Sequence, residues 1–113
     1  MHEGSIVESL LALAVENAER AQASRIVTIN VVIGELAGVV EEAMEFYFGF
    51  LSKGTIAAGA GLSFKRVPAQ LRCRRCSNVF APASADLRCP ACGEAGVEIV
   101  AGRELYIDSL EVE

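Results

Sequence analysis

CRRCSNVFAPASADLRCPACG, residues 73–93, holds every cysteine of the chain in two Cys-x-x-Cys pairs twelve residues apart. The two-residue spacing lets both sulfurs of a pair turn toward one ion, and the connection is long enough to fold the second pair over the first. Cys73, Cys76, Cys89 and Cys92 are therefore read as the closed tetrahedral ligand set of a structural Zn(II). Pro90 stiffens the second knuckle and Gly93 permits a left-handed turn after it. Three other chemistries compete. An iron site of rubredoxin type uses similar knuckles, but Phe80 is the single aromatic residue of this segment. A redox dithiol needs one pair at a helix start. Disulfides do not suit the reducing compartment inferred below. With four protein ligands no position is open to a substrate, so the site is expected to hold shape.

The charge of the chain is organised around this segment. The whole carries a formal charge of −5. Residues 71–96 hold Arg72, Arg74, Arg75 and Arg88 against Asp86 and Glu94, so the acidity lies elsewhere. The local positive excess offsets the negative charge of four thiolates and a divalent ion. The alternative use of these arginines, a basic patch for nucleic acid, is opposed by the acidic body, because phosphate binding rests on an excess of Lys and Arg. No signal-like N-terminus and no membrane-length apolar run is present, and a cytoplasmic protein is expected.

Outward from the cysteines the pattern is α+β. Residues 5–22 predict an amphipathic helix with Ser5 as N-cap and Glu8 completing a capping box, and with Ile6, Leu10, Leu13, Val15 and Ala18 on its apolar face. Residues 25–33 predict a strand whose Val27, Ile29, Val31 and Ile33 form one apolar face. Residues 40–52 predict a second helix, acidic in its first turn and closed near Gly54. Its Met44, Phe46, Tyr47, Phe48 and Phe50 are read as core packing in preference to a recognition surface. Strands are expected at 62–67, 97–100 and 103–112, the last long enough to return to the main sheet. The predicted architecture is two helices packed on a small mixed sheet, with a zinc-ribbon-like module inserted before the last strand.

The chain begins Met1-His2-Glu3-Gly4, and His2 is its only histidine. A lone histidine is ordinarily a surface residue without a role. Here, however, the Met1 amine, the His2 amide nitrogen and the His2 imidazole can close fused chelate rings, and Glu3 can add a further donor. Nitrogen-rich square-planar sites suit Ni(II) or Cu(II).

MHE at 1–3, IGELAGV at 33–39, EAMEF at 42–46 and CRRC…CPACG at 73–93 together resemble the HypA/HybF family of nickel metallochaperones, which serve [NiFe]-hydrogenase maturation. The resemblance covers essentially the whole chain. It implies a nickel-binding α+β domain, 1–69 with 101–113, and a zinc-binding domain, 70–100. It implies a carrier and not an enzyme, with Ni(II) held by Met1, His2 and Glu3 and Zn(II) by the four cysteines. The implied partners are the nickel-handling GTPase HypB and the hydrogenase large-subunit precursor, with no nucleic acid and no membrane, and with homodimerisation left open. Some relatives carry extra histidines beside the zinc cysteines, and this chain has none, so pH signalling through them and a role in urease activation are not carried over. A carboxylate that assists nickel in parts of the family is replaced by Val40, and the following Glu41 and Glu42 read as helix-start acids. The rival function is a zinc-ribbon adaptor for nucleic acid or the transcription machinery.

Overall fold

Strand β1 (Ile26–Gly34) is the middle strand of the main sheet in the computed structural model, which describes residues 3–82 and 86–113. It lies between β2 (Gly61–Val67) and β6 (Leu105–Val112), giving the order β2-β1-β6. Its composition explains the position. Ile29, Val31 and Ile33 are buried on the face expected to be apolar, and Ile26 and Val32 are buried on the other. A strand of β-branched residues covered on both sides belongs inside a sheet. Helix α1 (Glu3–Arg20) packs on helix α2 (Glu41–Leu51) and on β6. Val7, Leu11, Ala14 and Ala18 of α1 meet Met44 and Phe48 of α2 in the core.

Three local expectations are corrected. The first helix starts at Glu3, so Ser5 lies inside it and is not its N-cap. Tertiary contacts extend it: the Val40 N–H donates to Glu3 Oε2 at 3.3 Å. Gly4 lies so near the Tyr47 ring that an added Cβ would stand 3.4 Å from Cε1. Ala18 is buried as expected, but the rest of the buried stripe, Val7, Leu11 and Ala14, sits one residue round from Ile6, Leu10 and Leu13, and Leu13 is exposed. Secondly, Met44 and Phe48 are the fully buried residues of α2, while Phe46 and Phe50 are 72% and 68% exposed and Phe46 meets the Tyr47 ring edge to face. Thirdly, α2 closes on Ser52, whose N–H donates to the Phe48 carbonyl, and Gly54 serves the turn beyond.

A second sheet joins β3 (Gln70–Cys73), β4 (Val79–Phe80) and β5 (Val97–Ala101) in the order β4-β3-β5, all antiparallel. Leu71 pairs with Phe80 on one side and Ile99 on the other, and Cys73 pairs with Val97. The expected architecture stands, two helices on a small sheet plus a cysteine module, but β3 and β4 are additions to it.

The chain divides into two compact units. One comprises Met1–Val32, Gly38–Lys65 and Leu105–Glu113, and the other Ile33–Ala37 and Arg66–Glu104. The IGELA segment thus belongs with the cysteines. The Gly34 N–H donates to the Glu104 carbonyl at 2.7 Å and the Leu36 N–H to the Gly102 carbonyl at 2.6 Å. Glu35 Oε1 accepts the Ala69 N–H at 2.8 Å, and Glu104 Oε1 accepts the Gly102 N–H at 2.8 Å. Gly34 is required by close approach: a Cβ there would fall on the Gly102 carbonyl, with Arg103 N at 2.7 Å. Backbone cannot yield as a flexible side chain does, and overpacking costs about 1–3 kcal/mol. Gly34→Ala is expected to lose at least that much stability, read as a lowered midpoint in urea unfolding of the metal-loaded protein.

Candidate metal centre

Each cysteine pair sits in a turn of the same build. Cys73 accepts the Ser77 N–H at 2.9 Å and donates its own N–H to the Asn78 carbonyl at 2.9 Å. Cys89 accepts the Gly93 N–H at 2.8 Å and donates to the Glu94 carbonyl at 3.0 Å. In both turns the residue after the second cysteine has a left-handed backbone, φ 64° at Ser77 and φ 77° at Gly93. Glycine adopts that conformation without cost, whereas Ser77 does so against a steric penalty. The glycine is the sequence signal that makes the second knuckle recognisable, and its absence leaves the first one less so.

These turns bring Cys73, Cys76, Cys89 and Cys92 into one cluster whose sulfurs all lie within 4.8 Å of one another. Cys73 Sγ is 3.6 Å from Cys92 Sγ, and Cys76 Sγ is 3.6 Å from Cys89 Sγ. A disulfide needs about 2.05 Å. A tetrahedral ion with metal–sulfur bonds of about 2.3 Å sets its sulfurs about 3.8 Å apart. The cluster fits a metal ion such as zinc. The arrangement is two-sided: Cys73 and Cys89 are buried, and Cys76 and Cys92 are exposed.

The polypeptide divides the proton load of the four sulfurs. The Cys76 backbone N–H, joined by that of Arg75, holds the Cys73 thiol below its ordinary pKa. Burial pushes the Cys89 thiol up, but the backbone of Cys92 and Ala91, together with Cys76 and Asn78, outweighs it and brings the group down to about 6. Asn78 Nδ2 reaches Cys89 Sγ at 3.8 Å, a supporting role not apparent from the sequence. The Asn78 backbone draws the Cys76 thiol down, but Cys89, burial and Cys73 together raise it. The Glu94 backbone lowers Cys92, whereas burial and the three other sulfurs raise it to about 12. Cys73 and Cys89 are shifted toward the thiolate and Cys76 and Cys92 away from it.

A metal must displace the protons that remain. Zinc added to the metal-free protein near neutral pH should therefore release fewer than four protons, because Cys89 is already largely thiolate there. Calorimetry in buffers of different ionisation enthalpy measures this number. The Cys89 pKa is depressed on folding, so its contribution to stability is present above the unfolded value of about 8.5 and is lost as pH falls through about 6. Metal affinity should fall more steeply below about 6, where Cys89 itself must be deprotonated on binding.

The arginines are partly engaged elsewhere. Arg72 Nη1 lies 3.3 Å from Glu98 Oε1 on the paired strand, and Arg74 Nε donates to the Val97 carbonyl at 3.4 Å. Backbone N–H groups of Arg75 and Cys76 reach the Cys73 sulfur directly, at 3.4 and 3.5 Å. At the other predicted site, Met1 and His2 lie outside the described residues. Glu3 is placed with its carboxylate at the N-terminus of α2. Glu41 and Glu42 occupy the first turn of that helix, where acids are favoured.

Two helices over a three-stranded sheet, with a four-sulfur centre in a separate unit, describe a small metal-binding protein. Residues 1–112 match the family described as "Hydrogenase/urease nickel incorporation, metallochaperone, hypA". The chain is 49% identical over 113 residues to the hydrogenase maturation factor HypA of Dehalococcoides mccartyi, covering all of this chain and 95% of that protein. It is 45% identical over 114 residues to the protein of the same name from Caldanaerobacter subterraneus, with both chains fully covered. The solution structure of the Ni metallochaperone HypA from Helicobacter pylori superposes with a TM-score of 0.70 at 32% identity, covering 99% of this chain and 97% of that one. A second solution structure, of HypA protein, gives a TM-score of 0.77 at 33% identity, covering 100% and 97%. The chain belongs to the HypA family. Among the described residues no helix is long and apolar enough to cross a membrane.

Proposed function

We propose that this chain carries Ni(II) at its N-terminus, through the Met1 amine, the amide and imidazole nitrogens of His2, and Glu3, and delivers it to the [NiFe]-hydrogenase large-subunit precursor. The observation that carries the reading is the match of residues 1–112 to a nickel-incorporation family. The Glu3–Val40 hydrogen bond supports it by tying the start of α1, where Glu3 is the proposed third donor, to the start of α2. Nickel is cargo here, so the site must release as well as bind. Nitrogen donors at a chain end suit this because ligand exchange can proceed one donor at a time. Glu3 would exchange its bond to Val40 when its carboxylate ligates.

The four cysteines are assigned to a resident Zn(II), which would hold residues 66–104 in shape. No catalysis is assigned to it, because four protein sulfurs leave no open position. The chain is read as a cytoplasmic carrier and not an enzyme. Its proposed partners are a nickel-handling GTPase of the HypB type and the hydrogenase precursor, with neither nucleic acid nor membrane, and with self-association to a homodimer as a further state to be measured. The domain roles follow: nickel with 1–69 and 101–113, zinc with 70–100.

The test is metal analysis and nickel titration of the untagged chain beside His2→Ala. The expected result is one tightly held zinc in both proteins and a nickel affinity lower by about 10–100-fold or more in the variant. Equal nickel affinity in the two would overturn the N-terminal assignment.

A further inference from the structure

The amphipathic face of α1 is wider than the core uses. Beside the buried Val7, Leu11, Ala14 and Ala18 runs a second stripe, Ile6, Leu10 and Leu13, at helical spacing and only partly covered. Leu13 is 47% exposed. This stripe opens onto two cavities along one side of the helix. One, about 340 Å³, lies between Ser5, Ile6, Ser9 and Leu10 and Leu105 of β6. The other, about 330 Å³, lies between Leu13, Ala14 and Asn17 and residues Ile107, Asp108, Ser109 and Leu110 of β6. Both lie between α1 and β6, one beside the first two turns of the helix and the other beside its later turns, and together they are called the groove.

Strand β6 is an edge of its sheet. Four consecutive residues of it line the second cavity, whereas side chains on one face would supply only alternate positions. The backbone of the edge strand, as well as its side chains, therefore faces the cavity. Edge strands are normally guarded by Lys, Pro or cover from another element. The opposite edge, β2, has Lys65 and Arg66 with Pro68 just beyond. The β6 sequence LYIDSLEV has no basic residue and no proline. Its charges are Asp108 and Glu111, with Glu113 following. The unit that contains the groove has ten acidic side chains against four basic ones.

We infer that this groove is a docking site for an extended segment of another protein, alternating apolar and basic residues, which adds a fourth strand to β6. Main-chain hydrogen bonds to the free edge supply register, and alternate apolar side chains enter the two cavities over Leu10, Leu13 and Leu110. The outward basic side chains meet the acidic surface. A second copy of this chain is the poorer occupant, because it would set Asp108, Glu111 and Glu113 against an equally acidic unit.

The test uses the full chain with its cysteine module zinc-loaded and the capped synthetic peptide KVKIRVKV, followed by amide NMR. The expected result is saturable binding that shifts the amides of 105–112 and of the first four turns of α1. Affinity should fall at least tenfold with Leu13→Arg, with Asp108→Lys, and with a peptide N-methylated at alternate residues. Both substituted positions are on the surface, so the variants should fold, which the unchanged remainder of the spectrum verifies. Any of four results overturns the proposal. These are no binding at millimolar peptide, equal binding of the N-methylated peptide, shifts centred on Phe46 and Phe50, or peptide-free dimers protecting the 105–112 amides.

Discussion

Cys73→Ser should leave the chain without zinc and unfold its second unit, while the helices persist. Cys73 is fully buried, ends β3, and accepts the N–H groups of Arg75 and Cys76 on its sulfur. A serine oxygen is harder and less readily ionised than a thiolate, and its shorter bond would pull the knuckle away from Cys92. The unit has little else to hold it. Beyond the two inner cysteines, its buried apolar residues among those described are Ile33, Ala69 and Leu71. Segments of about 40 residues ordinarily need a metal or disulfides to fold at all. Structural zinc contributes about 10–16 kcal/mol in comparable small modules, more than this core can replace. The expected record is zinc near zero by metal analysis, collapse of the 66–104 amide resonances, and retention of the helical circular-dichroism signal of α1 and α2. Cys92→Ser, at an exposed corner, should weaken zinc without the same collapse. Retention of full zinc by Cys73→Ser would remove the four-sulfur assignment.

Acetylating the Met1 amine should lower nickel affinity about 100-fold or more while zinc content stays at one ion per chain. The block leaves every side chain in place. What it changes is the primary amine, which becomes an amide and can no longer anchor the fused chelate rings that favour square-planar ions. The same donors explain the pH profile. An α-amine with a pKa near 7.7–8.0 and an imidazole near 6.5 both take up protons as pH drops toward about 6, so nickel should be released across that range. Calorimetric titration of the native and acetylated chains at pH 7.5 and 6 covers both statements. Unchanged nickel affinity in the acetylated chain would defeat this arrangement. The two experiments act on separate ions, so neither result can stand in for the other.

The features most legible in the sequence were those set by local chemistry. Two Cys-x-x-Cys pairs declare a four-sulfur cluster because the spacing alone aims the thiols. The run from Val27 to Ile33 declares a strand because β-branched residues fit little else. What eluded the sequence was set by tertiary contact. Ser5 has the composition of an N-cap, yet Glu3 and Gly4 gain partners at Val40 and Tyr47 and carry the helix past it. The buried stripe of α1 is displaced by one residue because Ile6, Leu10 and Leu13 are as apolar as Val7, Leu11 and Ala14. Phe46 and Phe50 look like core from composition, but Met44 and Phe48 already fill the contact with α1. Strands β3 and β4, of four and two residues, have too little pattern to be seen without their partners. At the metal centre the ligands were readable, but Asn78 and the strained Ser77 were not, since each acts through the turn it completes.

The hook of Ile33–Ala37 has a practical corollary for engineering. A fragment cut at 66 and 104 would carry all four sulfurs yet leave behind Glu35, whose carboxylate satisfies the Ala69 amide, and the Leu36 amide that meets the Gly102 carbonyl. The cysteine region is therefore not a portable cassette, and a graft onto another scaffold must bring five residues from upstream along with it.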